Sequence, residues 1–201
     1  GGAVGLTITK EQIAELDQET FEGTIHVIDQ LKQVPEAVAY LATQSTLGFD
    51  TETKPAFKRG QVHKVALMQL ATEQECFLFR LNRIGYPDML EDIIGNPAIR
   101  KIGLSLRDDF AAIRKRSGQL PENFIDLQSY VDKFGIEVNS LQKIYAILFG
   151  KKISKNQRLS NWEAPVLSPA QQSYAAIDAW ACLRIYNYLS RVNPMEWTKS
   201  M

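Results

Sequence analysis

Two apolar runs set close together, VALMQLAT (65–72) and CFLFRL (76–81), constrain this chain more tightly than any other stretch. Each has the length of a strand, and the TEQE segment at 72–75 turns the chain between them, so they pair as neighbours. STLGFDTET (45–53) reads as another strand just before them, which makes three in succession. GTIHVID (23–29), with Ile25 and Val27 alternating, supplies an earlier one. RKIGLSL (100–106) alternates Ile102, Leu104 and Leu106 between the helical segments PDMLEDIIGN (87–96) and RDDFAAIRKR (107–116). That order of strand, crossover helix and strand calls for a mixed sheet covered by helices.

Helices are expected elsewhere too. TKEQIAEL (9–16) opens on a Thr9/Gln12 capping pattern, and PEAVAYLATQ (35–44) has a proline suited to a first helical turn. ENFIDLQSYVDKFG (122–135), SLQKIYAILFG (140–150) and SPAQQSYAAIDAWACLRIYNYLSRV (168–192) all read as helices, and no good strand remains after 106. The expected class is α/β, strands first and a helical C-terminal part, in one domain.

Composition narrows the function. A chain of 201 residues, 45% hydrophobic, is long enough for one sizeable core. No run approaches the ~18 apolar residues of a membrane span, and the opening GGAVGLTITK lacks the layout of a secretory signal. Cys76 and Cys182 stand apart in apolar surroundings and read as buried free thiols, which suits a cytoplasmic chain with no membrane partner. With only His26 and His63, a histidine-rich zinc site or a Ser-His-Asp triad is hard to build. The 23 basic and 23 acidic side chains cancel, against a protein that coats nucleic acid through its overall field. Locally the balance shifts: KPAFKRGQVHK (54–64) and KKISKNQR (151–158) are basic and hold no acid. Taken alone, both read as solvated loops.

Three acidic places stand out. Asp50 and Glu52 end an apolar strand and point the same way, roughly 7 Å apart along the chain. Without a cation between them, one must take up a proton or reach water. By itself the pair fits an exposed strand end as well as a metal site. Asp108 and Asp109 stand at a strand-to-helix junction, where Asp108 fits a helix N-cap and Asp109 is free to act as a ligand. Tyr174 and Asp178, four apart, share one helix face. Alone, that pair reads as a buried stripe with an acid at its rim. Together, hard oxygen groups with no useful set of His or Cys suit Mg²⁺ or Mn²⁺ and fit zinc poorly.

In this order the segments GFDTE, RGQVHKVALMQLATEQECFLF, KIGLSLRDDFAAI and RLSNWEAPVLSPAQQSYAAIDAW resemble the DEDD (DnaQ-like) 3′–5′ exonuclease superfamily, in its ribonuclease D and Werner-type branch. The resemblance covers residues 23–192, leaving 1–22 as an N-terminal extension with its helix and 193–201 as a tail. It implies a ribonuclease H-like mixed sheet flanked by helices. It carries Asp50 and Glu52 onto the first motif, Asp109 onto the second through its spacing from Gly103, and Tyr174 and Asp178 onto the third. Ser173 stands where the other subclass has histidine, so this is the tyrosine type.

The implied activity is hydrolysis of phosphodiester bonds from the 3′ end of DNA or RNA with two divalent ions, Mg²⁺ or Mn²⁺. In that scheme Asp50 bridges the ions, Glu52 and Asp178 complete the site of the attacking water, Asp109 reaches the other ion, and the Tyr174 hydroxyl orients the water. Lys54, Lys58, Arg59, Lys152 and Arg158 become candidate phosphate contacts, and Phe57 a candidate wedge against the terminal base. Met68 and Trp162 are expected to pack in the core. A catalytically silent nucleic-acid-binding module on the same fold is the alternative, and such a module is expected to lack at least one of the carboxylates. A phosphoesterase acting on small phosphates is a third reading.

Overall fold

All 7 residues of the strand Val65–Ala71 are buried, which requires both faces of its sheet to be covered. The computed structural model describes residues 6–194 and meets that requirement with helices on either side. In chain order the elements are α1 (Lys10–Ala14), β1 (Thr24–Ile28), α2 (Val34–Leu41), β2 (Thr46–Thr53), β3 (Val65–Ala71), β4 (Glu75–Arg80), α3 (Leu81–Ile84) and α4 (Asp88–Ile94). There follow β5 (Arg100–Gly103), α5 (Arg107–Arg114), β6 (Phe124–Asp126), α6 (Leu127–Tyr130), α7 (Leu141–Phe149) and α8 (Pro169–Leu189). The strands form one 6-stranded sheet in the order β1-β4-β3-β2-β5-β6. β3 is antiparallel to both its neighbours, and the remaining pairings are parallel.

Alternation along the strands splits the core. Leu47 and Phe49 of β2, Met68 and Leu70 of β3, and Phe77 and Phe79 of β4 face α2 and α4, where Val38, Leu41, Leu90 and Ile94 complete one cluster. Leu67 and Ala71 of β3 with Cys76 and Leu78 of β4 face the other way, against Ala175, Ala176 and Ala179 of α8. A third cluster joins α7 and the far half of α8 to Ile102. Each such fully buried Leu or Phe contributes ~1.5–3 kcal/mol through burial. Cys76 and Cys182 are both buried and free, and Met68 and Trp162 are core residues at 0% exposure.

α8 is the helix that builds the site. Ser168 caps it, accepting from the Gln171 amide while Gln171 answers with its own side chain, and Pro169 opens its first turn. Its alanine face lets it lie against β2 at Gly48, where a Cβ would come within 2.0 Å of the Ala179 carbonyl oxygen. Only glycine permits that approach.

Sequence and structure part company in three places. The 122–135 segment is not wholly helical: Phe124–Asp126 is a strand paired with β5, and the helix begins only after Asp126, whose side chain accepts from the Gln128 amide. Three residues are too few to register as an alternating pattern. The 100–106 strand stops at Gly103, because Ser105 turns with φ 59° and its amide, with that of Leu106, is taken by the Asp126 carboxylate. Asp108 consequently does not cap α5. Leu106 holds the N-cap position, with Asp108 exposed in the first turn. The Thr9/Gln12 capping box is present as expected.

Candidate metal centre

β2 carries Gly48, Asp50 and Glu52 toward α8, and α8 answers with Asp178 one turn from Tyr174. The close packing at Gly48 draws the helix down onto the strand. Oxygens of Asp50, Glu52 and Asp178 lie within 4.8 Å of one another. A register shift between Glu52 and Thr53 ends the regular ladder there, as bulges do beside functional sites. Asp178 is 7% exposed, and its Oδ1 is buried without a hydrogen-bond partner among the described residues.

Electrostatics follow from that crowding. Burial, then the charge of nearby Asp109, pushes the Asp50 carboxyl up to about 7. Burial, then Asp50 and Asp178, raises Glu52 far above the ordinary carboxylate range, and its carboxyl hydrogen-bonds to Asp50. Asp178 is likewise raised, by burial and by Asp50. Three carboxylates gathered in one place, Asp178 buried and Asp50 and Glu52 half-buried, resist ionising together unless a cation joins them. An all-oxygen set with one orphaned oxygen fits a hard divalent ion such as Mg²⁺ or Mn²⁺.

Asp109 lies outside this trio. Its carboxylate accepts from the Thr51 hydroxyl, on the face of β2 opposite Asp50 and Glu52. Burial raises it to about 6 against the lowering effect of that bond, and its charge still reaches Asp50. Tyr174 is 8% exposed, with its ring 5.9 Å from that of Trp162. Burial, then Asp178, Glu52 and Asp50, pushes its phenol up, so it stays protonated and able to donate. Arg158 acts on the same phenol in the opposite sense, which sets this guanidinium near the site.

The other basic candidates divide. Lys54, Lys58 and Arg59 lie on the loop that leaves β2 after Thr53, the residue next to Glu52, with Phe57 79% exposed among them. His63 of that loop meets Glu163 at 3.5 Å, linking it to the segment after Arg158, whose Ala164 and Pro165 carbonyls are held by Arg80. A cavity of about 320 Å³ between the loop and α5 is lined by Thr53, His63, Lys64 and Lys115. Lys152 is engaged elsewhere: its backbone bridges Gln18, and its ammonium donates to the Ala14 carbonyl. The wider groove of about 650 Å³, beside His26, Tyr40 and Phe77, opens on the other sheet face, away from the carboxylates.

Two residues at the centre escaped the sequence reading. Thr51 is the middle of DTE and holds Asp109. Gln69 lies in β3 opposite Asp50, fully buried, and its side-chain amide donates to Asp50 Oδ2 at 3.5 Å and to the Ala175 carbonyl at 3.2 Å. A glutamine inside VALMQLA, the one strongly polar side chain of an otherwise apolar strand, was the available signal.

Residues 25–193 match a family model described as a 3′–5′ exonuclease. The mouse bifunctional 3′–5′ exonuclease/ATP-dependent helicase WRN is 30% identical over 158 residues, covering 76% of this chain and 11% of WRN. The chain spans about a tenth to a third of the first curated relatives it matches. Among solved structures, the Aedes aegypti Nibbler EXO domain superposes with a TM-score of 0.74 at 21% identity, covering 90% of this chain and 98% of that one. Trypanosoma brucei RNase D in complex with RNA U12 gives 0.75 at 19% identity, covering 89% and 70%. These likenesses place the fold among ribonuclease H-like exonuclease domains.

Proposed function

The chain belongs to the 3′–5′ exonuclease family, and on that premise we propose that it removes nucleotides from the 3′ end of a nucleic acid strand by metal-assisted hydrolysis. The observation that carries this reading is the meeting of Asp50, Glu52 and Asp178, from two distant segments, within 4.8 Å. A polyanionic substrate cannot approach three carboxylates unaided. Asp50, Glu52 and Asp178 would hold a divalent ion, and Asp109, whose charge reaches Asp50, would help to hold a second. Divalent ions held there would supply an acidified water as nucleophile and offset the charge that builds up on the leaving oxygen.

The chain's own groups do the rest. Tyr174, held as a phenol between Trp162 and the acids, donates a hydrogen bond that aims the attacking water. It is no base at neutral pH. Arg158 and the loop cations Lys54, Lys58 and Arg59 steady the phosphates on either side of the scissile bond, as a backbone-reading enzyme requires. Trp162, clasped under the segment tied by Arg80, keeps Tyr174 from swinging out. The RNA complex of RNase D supports a nucleic acid as substrate.

The test uses DNA and RNA oligonucleotides labelled at either end, with Mg²⁺, Mn²⁺ or a chelator. The 3′ label should leave first as a mononucleotide while 5′-labelled strands shorten stepwise, only with metal. Release of the 5′ label first, or trimming in chelator, refutes the proposal. Hydrolysis of free nucleotides alone would point to a small-phosphate esterase.

A further inference from the structure

Gln69 is a polar group at 0% exposure in a strand whose neighbours Leu67, Met68 and Leu70 are equally buried and apolar. It stands directly opposite Asp50 in the β2–β3 register, so the two side chains leave the sheet on the same face ~4.5–5.5 Å apart at Cβ. Its Nε2 donates to Asp50 Oδ2 at 3.5 Å and to the Ala175 carbonyl of α8 at 3.2 Å, and the same amide also hydrogen-bonds Glu52. The Ala175 carbonyl can only accept, and so does the Asp50 carboxylate once ionised. Turned over, the amide would set its oxygen against a carboxylate and a carbonyl, so its orientation is fixed. The cost is visible: Oε1 is left buried with no donor among the described residues. A strand selected only to fill space would keep methionine here and avoid a penalty of ~1–3 kcal/mol.

Resting on the exonuclease reading of this site, we propose that Gln69 is a positioning residue that ties the Asp50 carboxylate to the α8 backbone and so fixes its spacing from Asp178. The bridge is short and direct. Ala175 lies one residue from Tyr174 and three from Asp178 on the same helix, so a single amide references the β2 ligand to the α8 ligand. Asp50 is thereby held in one rotamer before any cation arrives. Groups that orient metal ligands in this way are worth ~10–100-fold in metal affinity or activity.

The experiment compares the wild-type chain with Gln69→Met, Asp50→Asn and the double variant. Mn²⁺ binding is followed by calorimetry without nucleic acid, and trimming of an oligonucleotide is followed separately. Gln69→Met should fold, bind Mn²⁺ ~10–100-fold more weakly and lose kcat by a similar factor, with KM for the oligonucleotide unchanged. In the Asp50→Asn background it should change nothing further, because the bridge has lost its carboxylate. Wild-type Mn²⁺ affinity in Gln69→Met, or an equal loss with and without Asp50, overturns the assignment.

A second readout does not depend on that variant folding. In the wild-type chain the Gln69 side-chain amide resonance should move on adding Mg²⁺ and stay put on the same addition to Asp50→Asn, which has lost the carboxylate; an amide that ignores Mg²⁺ in the wild type, or that responds equally in the variant, overturns the assignment as well. Wild-type protein that binds Mn²⁺ through Asp50 and Gln69 yet trims nothing would refute the exonuclease reading and support the Gln69 role.

Discussion

Replacing Asp50 by Asn should stabilise the metal-free protein, although it removes the residue at the heart of the site. Burial and neighbouring Asp109 raise the Asp50 carboxyl from 3.8 to about 7. A folded-state value above the unfolded one means the native protein binds the extra proton. The stability this proton gives is complete below about pH 4 and is lost as pH rises through about 7. Every tenfold gain in proton affinity is worth ~1.36 kcal/mol, so the rise from 3.8 to about 7 amounts to as much as ~4 kcal/mol at pH 8. For a chain of this length ~1 kcal/mol moves the melting midpoint by ~2–4 °C, which gives Asp50→Asn a gain of up to ~8–16 °C in chelator at pH 8.

Scanning calorimetry at pH 4.5, 6 and 8 tests this, with and without Mn²⁺. The gap between variant and wild type should widen with pH, and adding Mn²⁺ should raise the wild-type midpoint while leaving Asp50→Asn nearly unmoved. A variant less stable than wild type at pH 8 in chelator, or a gap that ignores pH, refutes the picture of a strained, cation-seeking cluster.

Other perturbations separate the parts. Gly48→Ala thrusts a methyl at the Ala179 carbonyl, so it should cost ~1–3 kcal/mol or more in urea unfolding and reduce trimming by displacing α8. Glu52→Gln should lower kcat by at least ~100-fold in a gel assay while the fold, followed by circular dichroism, persists, because it removes one of three gathered carboxylates. Arg158→Ala should raise KM for an oligonucleotide, leave the melting midpoint unchanged, and reduce the salt dependence of binding by ~1 phosphate contact. Lys152→Ala, whose ammonium already serves the Ala14 carbonyl, should leave that salt dependence as it was.

How much of this was readable from the sequence depends on the reach of each signal. Asp50 and Glu52 were legible because a period of two needs only a strand, and Tyr174 with Asp178 because a spacing of four needs only a helix. The meeting of the two pairs was implied by the resemblance to the DEDD exonucleases and by no local period, and its physical cause, Gly48 letting α8 descend onto β2, shows only in the fold. The Asp108 cap failed for a long-range reason: Asp126, from a strand too short to show itself, holds the Ser105 and Leu106 amides at the turn, and the helix starts at Arg107, which leaves Asp108 inside its first turn. Lys152 looked like one of several free cations until the N-terminal segment folded over it. Gln69 and Thr51 act through partners on other strands or helices, a property no local pattern records.

Crystals grown with Mn²⁺ and measured at the manganese absorption edge give the sharpest test. Anomalous density should appear among Asp50, Glu52 and Asp178, with a second peak on the Asp109 side once an oligonucleotide end is bound. Manganese absent from that place, with the three carboxylates free and the protein still trimming 3′ ends, would contradict the account at its root.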